Sequence, residues 1–258
     1  LLLISKVLII KKFFNIMTTN LDLFYLNFLK ESGVNFFLQN SPFEYCNVLN
    51  NEELHDNNQQ PKKIQDILTL IQLNNYIKNS NCCSLKNQAK HTVFSDGNSS
   101  SKIMLIGEAP GVEEDKLGKP FVGAAGLLLN KMLKAINIDR NSVYITNVVP
   151  WRPPNNRTPS SEEILQCLPF IQKHIEIIKP FLIILLGGTA AKAILATTHG
   201  ITKLRGQWHE YNNLNIKKPI LTRAMYHPAF LLRSPIHKKE TWEDLQEIQK
   251  KIETNEII

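Results

Sequence analysis

The sequence is poor in the features that would fix a class at once. Cysteine is scarce: four in 258 residues, at positions 46, 82, 83 and 167. So few, two of them adjacent, do not make a disulfide framework, and a reducing compartment is the default expectation. No apolar run approaches the roughly 20 residues that a spanning helix needs. The most apolar stretch, residues 1–16, is broken by Lys6, Lys11 and Lys12. It has no charged segment ahead of its apolar run and no small-residue cleavage site, so a secretory signal fits poorly. No Gly-Lys-Ser/Thr follows Gly107 and Gly111, which removes a P-loop. No close pair of histidines suggests zinc. Charge of one sign is not in large excess: 30 Lys and Arg stand against 23 Asp and Glu, a net of +7. That mild surplus favours an anionic partner such as nucleic acid.

What is present is an ordinary globular composition, 43% hydrophobic and 21% charged. The length suits one large domain, or one domain with an extension. The chain opens on Leu1, and Met17 begins a more ordinary stretch. Residues 1–16 are therefore expected to be a mis-assigned start, with a targeting segment of mitochondrial type as the alternative. Residues 17–98 read as a helical accessory segment with polar linkers. Leu21, Phe24, Tyr25, Phe28 and Leu29 recur at helical spacing, and Gly33 reads as a stop. Residues 47–65 are rich in Asn, Asp, Glu and Gln, and residues 64–78 are weakly helical.

Residues 99–258 carry a different pattern. Apolar runs at 102–106, 143–149, 181–186 and 219–226 read as strands. Segments 124–136, 161–179, 188–196 and 238–253 read as helices. Leu127, Leu128, Met132 and Ile136 are expected near one face of the first of these. Ser160, Ser161, Glu162 and Glu163 supply good chemistry for a helix start. Strands separated by helices predict an α/β fold, three layers deep, around a mostly parallel four-stranded sheet. In such sheets the site lies at the carboxyl ends of the strands.

Three of the four strands end in unusual polar segments. The first runs into Glu108, Ala109 and Pro110, the second ends at Asn147, and the fourth meets His227. A parallel sheet brings a carboxylate, an amide and an imidazole to one rim, suited to a polar heterocycle. Taken singly, each also reads as a loop acid, a turn former and a surface histidine. Phe121 sits among Gly and Pro rather than on an apolar helical face, and a rigidly held aromatic can stack on a planar base. Packing against the core is its other reading.

Three segments together, GEAPGVEEDKLGKPFVGAAG (107–126), YITNVVPWRPPNNRTPSSEE (144–163) and YHPAFLLR (226–233), resemble the family-4 uracil-DNA glycosylases. The resemblance covers about residues 80–250. It implies that the domain at 99–258 is catalytic and excises uracil from DNA by hydrolysis, leaving an abasic site. By motif, Glu108 would position or activate water at the sugar. Ala109 and Pro110 would contact the base through backbone, Phe121 would stack on it, and Asn147 would read its polar edge. His227 would donate towards O2 as the base leaves. Leu231 and Leu232 would wedge into the duplex, and Arg233 would contact phosphate, with Arg152 and Arg157 on the same DNA-facing rim. Glu114 or the backbone near Ala109 would exclude a thymine methyl. No lysine stands at the matched positions, so no lyase step is expected.

The physics of these roles is consistent. A base inside a duplex is unreachable and must be flipped out. An Asn amide accepts from N3–H and donates to O4 of uracil, and is mismatched to cytosine. Breaking the glycosidic bond develops positive charge on the sugar and negative charge on the base.

Many members of the family also hold a [4Fe–4S] cluster on four cysteines. Cys83 and Cys167 match two of those positions, while Ser80 and Trp151 stand at the others. Catalysis is therefore expected to need no cofactor, and the cluster is not expected to be retained. The expected partner is uracil-containing DNA, single- or double-stranded, bound by a cytoplasmic monomer of bacterial type with no membrane contact; mitochondrial localisation is the lesser alternative. Two competing functions are a non-catalytic DNA-binding accessory protein associated with a DNA polymerase, and a glycosylase for another deaminated base.

Overall fold

The computed structural model describes residues 63–254. The expected helix at 20–38 and the segment 1–16 lie outside them. In chain order the first element is α1 (Leu70–Asn79), followed by the short strand β1 (Asp96–Gly97) and β2 (Ile103–Gly107). Next come α2 (Val112–Leu117), α3 (Ala124–Ala135) and β3 (Tyr144–Asn147), then α4 (Ser161–Ile178) and β4 (Leu182–Leu186). The chain continues through α5 (Gly188–Leu195), α6 (Ile201–Leu204), β5 (Trp208–Tyr211) and β6 (Ile220–Met225). It closes with α7 (Pro228–Arg233) and α8 (Lys238–Thr254).

The sheet has six strands in the order β1-β3-β2-β4-β6-β5. The four expected strands form its parallel centre. The two edges, β1 and β5, run antiparallel and were not expected. β1 is two polar residues and β5 reads WHEY, so neither carries the long apolar run that marks a buried strand.

Alternation in the central strands divides the core. Met104, Ile106, Tyr144, Ile183 and Leu185 face one side, with α4 and α5. Ile103, Leu105, Ile145, Ile184 and Met225 face the other, with α3 and α8. Both faces are covered, which is why β2 (IMLIG) and β4 (LIILL) carry no polar side chain, while β3 and β6 keep mostly apolar runs with Thr146, Asn147, Thr222 and Arg223 among them. Ile67, Leu73, Ile77, Leu85 and Trp151 join the first face, so the described residues ahead of 99, from 63 on, contribute to this core. Among the described residues no helix is long and apolar enough to cross a membrane.

Local chemistry sets the helix starts. Thr69 and Gln72 close a capping box on α1, and Ser160 and Glu163 close one on α4. The buried face of α3 is Gly126, Leu129, Met132 and Leu133, and Leu127 points outward at 61% exposure. Of the expected set, Met132 and Ile136 are buried and Leu128 packs against the same core, so Leu127 alone departs from it.

Candidate active site

The chain leaves β2 for β3 on one side, then crosses back to β4 on the other. The carboxyl ends of β2 and β4 therefore flank the switch point where such folds place a ligand. The β2–β3 register pairs Gly107 with Asn147. The ladder continues beyond it: Val148 N–H donates to the Gly107 carbonyl at 2.9 Å and Val149 N–H to the Glu108 carbonyl at 3.0 Å. Glu108 and Asn147 are thus fixed to each other by backbone. The Glu108 carboxylate is half-buried, with no hydrogen bond to it among the described residues.

Gly107 has a specific steric role. A methyl group there would overlap both Asn147 Oδ1 and the Phe121 ring. Amide and ring can approach only because position 107 has no side chain. Asn147 is buried, and its Oδ1 has no hydrogen-bond partner. Such an orphan acceptor costs free energy unless something else satisfies it.

Phe121 is buried, with φ at +53°, a conformation that non-glycine residues rarely adopt. Two of its neighbours are held by Glu114, whose Oε1 accepts from Val122 N–H at 2.9 Å and Gly123 N–H at 2.8 Å. Its Oε2 accepts from Gly111 N–H at 3.2 Å. This buried carboxylate ties the loop after β2 to the loop bearing Phe121.

His227 lies at the end of β6 and packs on Gly187, whose φ is +97°. Its ring sits 5.6 Å from that of Phe121, inclined by 30°. Nδ1 accepts from Ala229 N–H at 3.1 Å, capping α7. The proton of the neutral ring is therefore on Nε2. Burial, and then the charge of Arg233, push its pKa down to about 4. It is neutral at pH 7 and presents an N–H donor.

The structure thus gathers Phe121, Asn147 and His227 about the ends of β2, β3 and β6, with Glu108, Ala109 and Pro110 on the loop leaving β2. The wedge pair divides: Leu231 is 1% exposed and packs in the core, while Leu232 is 45% exposed. The structure thus separates the pair: α7 turns Leu231 into the core and leaves Leu232 as apolar surface. Arg233 is exposed beside it. Arg157 grips Glu163 with both terminal nitrogens, at 2.6 and 2.7 Å, so it braces the start of α4. Arg152 Nε donates to Asn156 Oδ1 at 2.7 Å.

The residues in register with the cluster ligands do not fit a four-thiolate site. Trp151 is fully buried, donates its indole N–H to Thr92 Oγ1 at 3.0 Å, and meets Phe170 edge-on. The Ser80 hydroxyl accepts from Cys82 N–H at 3.3 Å. Cys83 and Cys167 are both buried, and the neighbouring Cys83 thiol together with burial pushes the Cys167 thiol well above its ordinary pKa. Among the described residues no three His, Cys, Asp or Glu side chains are grouped to hold a metal. Cys46 lies outside the described residues.

The family model of the uracil DNA glycosylase superfamily matches residues 94–246, so the fold is that of an α/β glycosylase of that superfamily. A type-4 uracil-DNA glycosylase of Pyrobaculum aerophilum is 39% identical over 69% of this chain and 92% of its own length. Those of Saccharolobus solfataricus and Thermotoga maritima are 41% and 44% identical, over 68% and 61% of this chain and 82% and 80% of their own. The chain belongs to the type-4 uracil-DNA glycosylases, hydrolases of N-glycosidic bonds.

Missing from the sequence reading were the braces of the site. The Glu114 bonds run to backbone amides, and no side-chain pattern reveals them. The exposed and buried members of a Leu-Leu pair differ only once α7 is placed.

Proposed function

We propose that this chain draws uracil out of DNA into the rim between β2, β3 and β6 and hydrolyses its glycosidic bond. The observation that carries this reading is the orphaned, buried Asn147 Oδ1 beside the Phe121 ring. A heterocyclic N–H would satisfy that oxygen, and the amide NH₂ would donate to the neighbouring carbonyl. Uracil offers N3–H and O4 in that order; cytosine offers the reverse. Phe121 forms the face on which the base stacks, and the backbone of Ala109 and Pro110 closes its edge.

As the C1′–N1 bond breaks, its electron pair leaves with the base. Neutral His227 donates from Nε2 towards O2 and stabilises the developing anion. The Glu108 carboxylate stabilises the sugar cation and orients water, whose oxygen bonds to C1′ and whose proton passes to solvent or to the carboxylate. No amine takes part, so the products are free uracil and an abasic site, with the strand intact. Arg152 and Arg233 face phosphate, with Arg157 beside them, and exposed Leu232 fills the vacated stack. The reaction runs without a cofactor in a monomer, and the cysteines act as packing.

The test is incubation with single- and double-stranded oligonucleotides carrying one uracil, followed by alkali. Cleavage only after alkali is expected, and Asn147→Asp should lose it. Absence of abasic product from every U:A, U:G and single-stranded substrate would refute the reading and favour a binding protein. Cleavage without alkali would refute the absence of a lyase step.

A further inference from the structure

Arg140 lies outside the three motifs, on a 3-10 turn ahead of β3. Its guanidinium nevertheless reaches the loop that carries Phe121. One terminal nitrogen donates to the Pro120 carbonyl at 2.7 Å, and the other to the Phe121 carbonyl at 3.0 Å. The second also reaches Asn130 Oδ1 at 3.0 Å. Asp96, on β1, anchors the group: its Oδ2 accepts from Nε at 3.0 Å and from the first terminal nitrogen at 2.8 Å. The side chain is only 17% exposed. A planar, permanently charged fork holds two successive carbonyls at a fixed angle, which an ammonium cannot do.

Those carbonyls flank a peptide that needs holding. Phe121 is left-handed, at φ +53°, which an unsupported chain would abandon. Its carbonyl also lies against Gly126, where a methyl group would overlap it. On the far flank the Glu114 carboxylate takes the next two amides, of Val122 and Gly123. A cation thus holds the carbonyls ahead of the turn and an anion holds the amides after it.

We propose that Arg140, anchored by Asp96, is a positioning residue for uracil excision: it fixes the left-handed backbone of Phe121 and so aims the ring at the flipped base. This rests on the reading of Phe121 as the stacking face. Arg140 itself touches neither substrate nor the reacting atoms.

The experiment is a double-mutant cycle between Arg140→Gln and Phe121→Ala, read as single-turnover excision from a uracil duplex, with thermal melting to check folding. Arg140→Gln should slow excision about tenfold at saturating DNA, while the KM for DNA changes less than about twofold. Arg140→Lys should recover only part of the loss. In the Phe121→Ala background Arg140→Gln should add no further loss, because the ring through which it acts is gone. Losses that multiply in the double variant would overturn the proposal, as would a normal rate for Arg140→Gln. If Arg140→Gln does not fold, Asp96→Asn takes its place in the cycle, with the same expected and overturning results. A normal rate for Phe121→Ala would overturn the stacking role and this proposal with it. Wild-type protein inactive on all uracil substrates would overturn the excision reading itself; an active wild type with multiplied losses overturns only the role of Arg140.

Discussion

Acidification should leave His227 neutral long after an ordinary histidine has charged. The ring is held near a pKa of about 4, first by burial and then by the Arg233 charge, against an ordinary value of 6.5. At pH 5.5 a group of pKa 4 is about 97% neutral, whereas one of pKa 6.5 is only about 9% neutral, a roughly tenfold difference in donor available as Nε2–H of an uncharged ring. The perturbation is therefore pH itself, and the direct readout is the NMR titration of the His227 Cε1–H signal. Its midpoint should fall near 4, and Arg233→Gln should raise it by removing one of the two causes. Single-turnover excision should show no His227-dependent limb between pH 7 and 5 when wild type is compared with His227→Gln. A midpoint near 6.5 would refute both the desolvated environment and the assignment of a neutral donor.

Other outcomes follow from particular contacts. His174 is buried, hydrogen-bonded to the Tyr144 hydroxyl at 2.8 Å and held neutral down to a pKa of about 3 by burial. The unfolded chain takes up that proton first, so stability is full above about pH 6.5 and is lost as pH falls towards 3, by up to about 1.4 kcal/mol per pH unit. Urea midpoints from pH 7 to 5 should decline less steeply in His174→Asn than in wild type. Gly107→Ala should reduce excision about 100-fold, since it displaces both Asn147 and Phe121 from the rim, with circular dichroism unchanged. Leu231→Ala should cost about 2–5 kcal/mol of stability, whereas Leu232→Ala should leave melting unchanged and slow excision from duplex more than from single strands. Trp151→Ala should cost about 3–5 kcal/mol in denaturant titration. Anaerobically purified wild type should contain no stoichiometric iron.

The four central strands were legible because β2 and β4 are apolar on both faces, as strands covered by helices on both sides are, and β3 and β6 keep short apolar runs beside their polar residues. The convergence of Glu108, Asn147 and His227 followed from parallel topology, since residues that end neighbouring parallel strands must meet. What escaped reading had either no periodicity or no side-chain signal. The helix α2 is six residues of VEEDKL, without an apolar stripe, and α7 is six residues beginning with Pro. Arg140 meets carbonyls 19 and 20 positions earlier, a contact that depends on the path of the loop and on no recurring residue type.

The two extra rungs beyond β3 set how the rim is tied together. Because Val148 and Val149 extend the β2–β3 ladder, the Glu108 and Asn147 side chains share one stiff ribbon. His227 stands at the end of β6, separated from β2 by β4 alone in the same sheet, and it caps the six-residue helix that carries the exposed Leu232. Any displacement of that helix is therefore shared by the imidazole and the leucine, while the ribbon opposite them is held by backbone.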